Sequence, residues 1–202
     1  MAVIGELLFW SGMRRPALSD TLRHNLQTNV PKEVEKLSSS LLQEKSDEDL
    51  VAMIVTRCQA NPLVLELAGA TGSAQPQPIT IRDVFGDQIT VNGLRIIQSI
   101  PFRGDAALFE LQPNTWDTSP PRGEVRGSKV VIGMEVAESR SEDAIRYIEE
   151  TRADLQKYID WQAPTIAEHN AAIPAAALAA IQRRRTILGK ASDIASRLSG
   201  GG

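Results

Sequence analysis

The stretch GEVRGSKVVIGMEV, residues 123–136, decides the fold of this chain. Residues with high strand propensity lie on both sides of Gly127-Ser128, a pair that suits a tight turn. The stretch therefore predicts two or three strands. Together with the segments before it, it predicts a small, mainly antiparallel sheet in the middle of the chain, over residues 61–138.

Short apolar or alternating runs predict further strands in this region, at residues 62–67, 79–85 and 106–113. The segment GATGSAQPQP, residues 69–78, is rich in Gly and Pro and is predicted as a loop.

The run ITIRDVFGDQITVNGLRIIQSIPF, residues 79–102, contains two turn signals. The first is Gly86-Asp87-Gln88. The second is Asn92-Gly93, which predicts a tight turn between two strands.

Residues 1–60 are predicted to be helical. Ser19-Asp20 is a typical helix start, and Pro31 interrupts the first helix and begins a second. Ser46 caps a third helix, which carries acidic residues in its first turn and ends before Pro62.

Residues 139–199 are predicted to form a long antiparallel helical hairpin. Ser141 caps its first helix, Pro164 kinks or ends that helix, and HNAAIP (residues 169–174) makes the corner. The first helix carries an apolar stripe that suggests self-association, unless it packs on the sheet within a monomer: Ile145, Ile148, Leu155, Ile159 and Ile166. The predicted fold class is therefore α+β, with residues 200–202 as a flexible tail.

Composition excludes several classes of protein. With 202 residues, 42% hydrophobic, and a net charge of −3, the chain has no overall attraction to nucleic acid or anionic membrane. The single Cys58 excludes an intrachain disulfide framework and a multi-cysteine metal site, and it favours the cytoplasm.

The apolar run Val3–Trp10 contains Glu6 and precedes its positive charges, which does not suit a signal peptide. No run is long enough to span a membrane, and we expect no cofactor and no metal.

The densest group of polar residues lies at residues 100–136, where glycines and prolines separate charged side chains. These could line a pocket that binds a ligand or partner: Arg103, Asp105, Arg122, Glu124 and Arg126. The same segments, RGD and PPRGEVRG, also fit plain turns with solvated charges, which is the interpretation we favour.

The chain has no pattern typical of a catalytic site. Asp105 with Glu124 is the nearest approach to the paired acids of a metal-dependent nuclease, but Lys129 is badly spaced to assist them. His24 and His169 lie in helical or corner contexts, and Cys58 lies on the apolar face of a helix. We therefore predict no catalytic residues.

The strongest basic cluster is Arg183, Arg184 and Arg185. On a helix these three side chains fan over roughly 200°, so they cannot form one flat stripe for a phosphate backbone. They could bind nucleic acid or an acidic partner. They could also pair within the hairpin, for example with Glu149 and Asp154, and we favour such pairing.

Three segments resemble a known family: DLVAMIVTRCQANPLVLEL (49–67), IPFRGDAALFELQPNTWDTSPPRGEVRG (100–127) and YIDWQAPTIAEHNAAIPAAALAAIQRRRTIL (158–188). The chain resembles the N-terminal region of an uncharacterised bacterial family whose longer members carry a C-terminal restriction-endonuclease-like domain. The resemblance covers residues 18–188 and implies an accessory module associated with phage defence or DNA processing. This chain ends in SGGG where the nuclease-like part would follow, so no nuclease activity is expected from these residues.

We therefore expect a non-catalytic interaction, sensing or oligomerisation module with a protein partner, or a homo-oligomer joined through its C-terminal helices. The first alternative is a nucleic-acid-binding module that uses the arginine cluster. The second is an enzyme with a pocket around Arg103, Asp105 and Glu124.

Overall fold

The strand pair predicted at residues 123–136 lies inside a seven-stranded sheet in a computed structural model of the chain, which describes residues 2–10, 16–82, 85 and 87–199. The strands are β1 (Ala2–Val3), β2 (Glu6–Leu7), β3 (Val64–Leu65), β4 (Thr71–Arg82), β5 (Gln88–Arg103), β6 (Arg122–Arg126) and β7 (Lys129–Ala137). The helices are α1 (Leu18–His24), α2 (Val30–Glu35), α3 (Ser39–Glu44), α4 (Asp47–Cys58) and α5 (Ser141–Ser199). The predicted α+β class is confirmed. Residues 200–202, predicted as a flexible tail, lie outside the described residues.

The chain divides into two units. The sheet unit contains the described residues of 1–18 and 61–164, and the helical unit contains those of 19–60 and 165–202. The long helix α5 contributes its first part to the sheet unit and its second part to the helical unit.

The strands of the sheet unit pair antiparallel. The sheet order is β2-β6-β7-β5-β3, while β1 also pairs with β7 and β4 pairs with β5. Strands β6 and β7 are joined through the turn at Gly127-Ser128, where Gly127 has a φ of 57°. The opening prediction of a turn between two strands is correct.

Two predicted breaks in the sheet are wrong. Residues 71–78, predicted as part of a loop, belong to β4, and Asn92-Gly93 lies inside β5 rather than at a turn. In the register of the two strands, Pro78 is opposite Asn92 and Gln77 is opposite Gly93. Gly93 is needed for close packing, because a Cβ there would lie 2.8 Å from Ile79 and 2.9 Å from the carbonyl oxygen of Val136.

The N-terminal residues were also assigned to the wrong element. Ala2–Val3 pairs with β7 and Glu6–Leu7 pairs with β6, so this segment belongs to the sheet and is not helical. Its apolar run is explained by burial, since Ile4, Leu8 and Phe9 are core residues. The strand predicted at residues 106–113 is instead a 3₁₀ helix at Ala106–Glu110.

The helical unit follows the predicted starts more closely. Ser46 caps α4, because its hydroxyl accepts a hydrogen bond from the Asp49 amide at 3.1 Å. The chain passes from α1 into α2 through a π-helical turn at Asn25–Asn29, so Pro31 falls in the first turn of α2 rather than breaking the helix. A single apolar cluster packs α2, α3 and α4 against α5: Val30, Val34, Leu37, Leu42, Leu50, Ile54, Cys58, Ile173, Ala177 and Ile181.

The predicted hairpin is wrong, because α5 runs without a break from Ser141 to Ser199, a length of 59 residues. Pro164 and Pro174 lie on its exposed side. A proline inside a helix costs about 3 kcal/mol. Burial on the other side outweighs that cost, since one stripe stays buried past both prolines: Leu155, Tyr158, Ile159, Gln162, Ile166, His169, Ile173, Ala177 and Ile181. The predicted corner residue Asn170 instead bridges to Ala60, whose amide and carbonyl it binds at 2.9 Å.

Candidate interaction surface

Arg103 and Asp105 of the predicted pocket form a structural corner. Both carboxylate oxygens of Asp105 accept hydrogen bonds from Asn61, at 2.8 Å from its backbone amide and 3.1 Å from its side chain. Gly104 lies between them with a φ of 102°, and a Cβ there would be 2.1 Å from the carbonyl oxygen of Pro62. Arg103 pairs with Glu66 at 2.7 Å. The segment RGD therefore fixes the chain at Asn61-Pro62.

Glu124 and Arg126 pair with each other on β6. The Arg126 guanidinium donates to the Glu124 carboxylate at 2.6 Å, and this hydrogen bond lowers the pKa of Glu124. Both side chains are largely exposed. The same hydrogen bond raises the pKa of Arg126. Such a pair at the surface contributes little to stability and is screened by salt.

Arg122 lines a groove of about 370 Å³ with Trp10, Tyr147 and Asp154. Burial raises the pKa of Tyr147, and the nearby Arg122 partly offsets this shift. The five predicted residues thus have separate partners. Arg103 pairs with Glu66, and Asp105 accepts hydrogen bonds from Asn61. Glu124 and Arg126 pair with each other, and Arg122 lines the groove beside Tyr147. Their role in binding a ligand stays a prediction.

Two arginines of the basic cluster bind helix ends. Arg184 donates to the backbone carbonyls of Val34 and Leu37, the latter at 2.6 Å, where α2 ends. Arg185 donates to the carbonyls of Leu42 and Lys45, each at 2.9 Å, at the end of α3, and it pairs with Asp47 at the start of α4. Helix C-termini leave carbonyls without intrahelical donors and carry partial negative charge, which suits a guanidinium. These two arginines are bound within the chain, as expected, but their partners are backbone carbonyls and Asp47 and not the predicted Glu149 or Asp154.

The side chain of Arg183 lies on a different side of α5 from those of Arg184 and Arg185. It is exposed, and so are Lys190 and Arg197, which follow it at intervals of seven residues on α5. Seven residues are nearly two helical turns, so the three side chains form one row along the helix. We call these three residues the basic row.

An apolar stripe lies beside the basic row, at Ile187, Ala191, Ile194 and Leu198. Their spacing of four, three and four residues is that of a coiled-coil seam. The three large side chains are 59%, 56% and 80% exposed at Ile187, Ile194 and Leu198. We call these four residues the seam.

The seam runs along one edge of the buried face of the helical unit and past the end of its covering helices. Ile173, Ala177 and Ile181 lie on that face under α2–α4, but all described residues from Gly189 onward are exposed. Residues 187–198 were predicted to lie in the second helix of a hairpin, and no exposed stripe was predicted there. The missing information was the length of α5, which carries the stripe past its covering helices.

The stripe first suspected of self-association is core. Ile148, Leu155, Ile159 and Ile166 are at most 8% exposed, and only Ile145 remains at the surface, at 44%. The alternative that this stripe packs within the monomer is therefore correct. Self-association remains possible only through another surface, such as the seam.

Cys58 and His169 are buried titratable groups outside these surfaces. Burial raises the pKa of the Cys58 thiol and lowers the pKa of His169, whose ring nitrogens have no well-formed hydrogen bond within the described residues. In the part of the chain that the structure describes, no group of three or more His, Cys, Asp or Glu side chains could hold a metal ion.

Comparison of the chain with protein-family models, with curated proteins and with solved structures gives no match. Among the described helices, none combines the length and the apolar character needed to span a membrane.

Proposed function

We propose that this chain is a non-catalytic interaction module that binds a helix of another protein along the seam of α5. The observation that carries the proposal is an uncovered apolar stripe at the edge of a buried face. Three large aliphatic side chains at coiled-coil spacing are more than half exposed on a helix whose preceding turns pack against α2–α4.

The seam alone supplies part of the free energy that a micromolar complex requires. Full burial of an Ile or Leu side chain contributes about 1.5–3 kcal/mol, so covering the exposed part of the three contributes about 3–6 kcal/mol in total. A micromolar complex requires about 8 kcal/mol.

The local partners of the charged residues support a role without chemistry. Asp105 is engaged by Asn61, and Glu124 is held in its ionised form by Arg126. The enzyme alternative would have to use these same carboxylates. The resemblance to regions that precede a nuclease-like domain supports an accessory role in phage defence or DNA processing, and the single buried Cys58 supports a cytoplasmic location.

A nucleic-acid-binding role has less support. Each phosphate contact steepens the fall of log K with log salt by about 0.9. Arg184 and Arg185 are engaged by backbone carbonyls, and Arg183 is exposed, so Arg183 is the member of the cluster that could add such a contact.

The experiment uses a synthetic amphipathic helix with Leu and Ile at its seam positions and Gln at the flanking positions, labelled for fluorescence anisotropy. The whole chain is expected to bind it, and Ile194→Asp to weaken binding at least about tenfold, since a carboxylate cannot be buried in an apolar seam. Ser196→Asp is the matched control, because Ser196 is exposed on the opposite side of α5. Neither variant should alter the urea midpoint. No binding by the unmodified chain, or equal loss in both variants, would refute the proposal.

A further inference from the structure

The basic row restricts what can cover the seam. We infer that the partner is an amphipathic helix with acidic side chains along the edge that faces Arg183, Lys190 and Arg197. This inference rests on the proposed function and adds the charge of the partner to it.

The row and the seam follow one heptad pattern. With Ile187 and Ile194 at the d positions and Ala191 and Leu198 at the a positions, the basic row occupies three successive g positions. The row lies roughly 60° to one side of the seam. The e positions on the other side hold Leu188 and Ala195, which are uncharged. A helix on the seam therefore meets positive charge along one edge only.

The basic row has no acidic partner of its own within the described residues. By contrast, two basic residues elsewhere on the same helix have acidic partners: Arg146 pairs with Asp143 at 2.7 Å, and Lys157 with Asp154 at 2.6 Å. Asp193 is the one acid between Gly189 and Ser199, and no ion pair joins it to the row. The row thus concentrates positive charge on a chain whose net charge is −3.

A second copy of the chain is a poor match for this arrangement. In an antiparallel pair, g positions face g positions, so the two basic rows would repel each other. In a parallel pair, g positions face e positions, which offer only Leu188 and Ala195. An acidic partner neutralises the row in either direction, and the heptad rule places its acids seven residues apart.

An aliphatic seam also distinguishes this surface from a nucleic-acid site. Phosphates would use the row but would leave Ile187, Ile194 and Leu198 exposed to water. An anionic membrane could engage both features, as amphipathic helices with basic edges do. It is therefore an outcome of the test below.

The test compares three peptides that share one apolar seam and differ only at the flanking positions, with Glu, Gln or Lys. Binding to the whole chain is measured by anisotropy at low and high salt. Exposed ion pairs contribute about a factor of two each, so the Glu peptide is expected to bind about fivefold to tenfold more tightly than the Gln peptide. The Lys peptide should bind more weakly than both, and high salt should bring the three together.

A charge reversal supplies the specific control. Lys190→Glu should lower the affinity for the Glu peptide and raise it for the Lys peptide, while Ser196→Glu, at a position exposed on the side of α5 opposite the seam, should change neither by as much. If no peptide binds, the proposed function is wrong. If all three bind equally, the seam docks a helix but the charge inference is wrong.

Three other results would also overturn the inference. Binding to vesicles of anionic phospholipid that Ile194→Asp abolishes, without peptide binding, would assign the surface to a membrane. Binding to duplex DNA that Lys190→Glu weakens and Ile194→Asp leaves intact would assign the row to nucleic acid. Concentration-dependent dimers in sedimentation that Ile194→Asp dissociates would assign the seam to a second copy.

Discussion

Replacing Arg184 by Ala should destabilise the helical unit, although Arg184 belongs to a run of arginines that suggests a phosphate-binding surface. Its guanidinium donates two hydrogen bonds, to the carbonyls of Val34 and Leu37 at the end of α2. Hydrogen bonds with one charged partner contribute about 1.5–3 kcal/mol each, and the two share one guanidinium. We expect a loss of about 2–4 kcal/mol in the free energy of unfolding.

The neighbouring Arg183 is a matched control. It has the same chemistry and the same helical context, but it is exposed, so Arg183→Ala should change the free energy of unfolding by less than about 0.5 kcal/mol. Arg184→Lys should recover less than half of the loss, because an ammonium group on a flexible stem cannot hold both carbonyls as the planar guanidinium fork does.

The assay is urea unfolding followed by helical circular dichroism at constant pH. Since α2 to α4 and the second part of α5 supply the helical unit, its unfolding should dominate that signal. An Arg184→Ala variant within about 0.5 kcal/mol of the unmodified chain would refute the bridging role of the guanidinium. So would an Arg183→Ala variant that loses as much stability, because the effect would then belong to helix propensity or net charge.

Three further predictions follow from the fold. Gly93→Ala should cost about 1–3 kcal/mol, because its Cβ would meet Ile79 at 2.8 Å, whereas Gly72→Ala, with no atom within 4 Å, should be nearly neutral in the same urea assay. Pro164→Ala should stabilise the chain, by up to about 3 kcal/mol, because it restores a donor inside a continuous helix; a loss of stability would favour the hairpin. Burial lowers the pKa of His169 from its ordinary value of 6.5. Just below pH 6.5 the unfolded chain therefore binds a proton at this residue, whereas the folded chain does not. Stability should therefore be constant above that pH and fall as the pH drops below it, and His169→Leu should lessen this fall in urea titrations at several pH values.

The turn at Gly127-Ser128 and the cap at Ser46 could be predicted because each depends on residues adjacent in sequence. A hydroxyl three residues before an amide, or a glycine in the left-handed region, is local chemistry. The α+β class followed from the same kind of information, since the change from helical to period-two spacing is a property of short windows.

The long strand β4 could not be predicted in this way, because its glycine, alanine and prolines are poor strand formers. Its stability comes from twelve pairs with β5. Among the described strands, β4 pairs only with β5. Pro76 and Pro78 are two residues apart, so their backbone nitrogens both point to the same side of the strand, the unpaired edge, where no N–H donor is needed. The same prolines also protect that edge from pairing with another chain.

The bound arginines were beyond sequence reasoning for a related reason. The carbonyls that hold Arg184 and Arg185 come from residues 34–45, about 140 to 150 positions earlier in the chain. Nothing near the cluster indicates them. Glu149 and Asp154 were predicted as partners because a hairpin would place them beside the arginine cluster. Because α5 is one continuous helix, they do not lie beside it.

The step of about 100° per residue on a helix separates the arginine cluster into two functions. Arg184 and Arg185 point to the buried side and bind the ends of α2 and α3, which fixes the position of α5 in the helical unit. Arg183 points to solvent and begins the basic row. The covering helices contact α5 as far as Leu188, and beyond it the apolar face is exposed while the basic residues remain unpaired among the described side chains. The anchored part of α5 and the proposed binding surface are thus adjacent on one continuous helix, so a partner bound at the seam would not need to order the helix first. This preorganisation reduces the entropic cost of binding, so more of the free energy gained by burying the three large side chains appears as affinity.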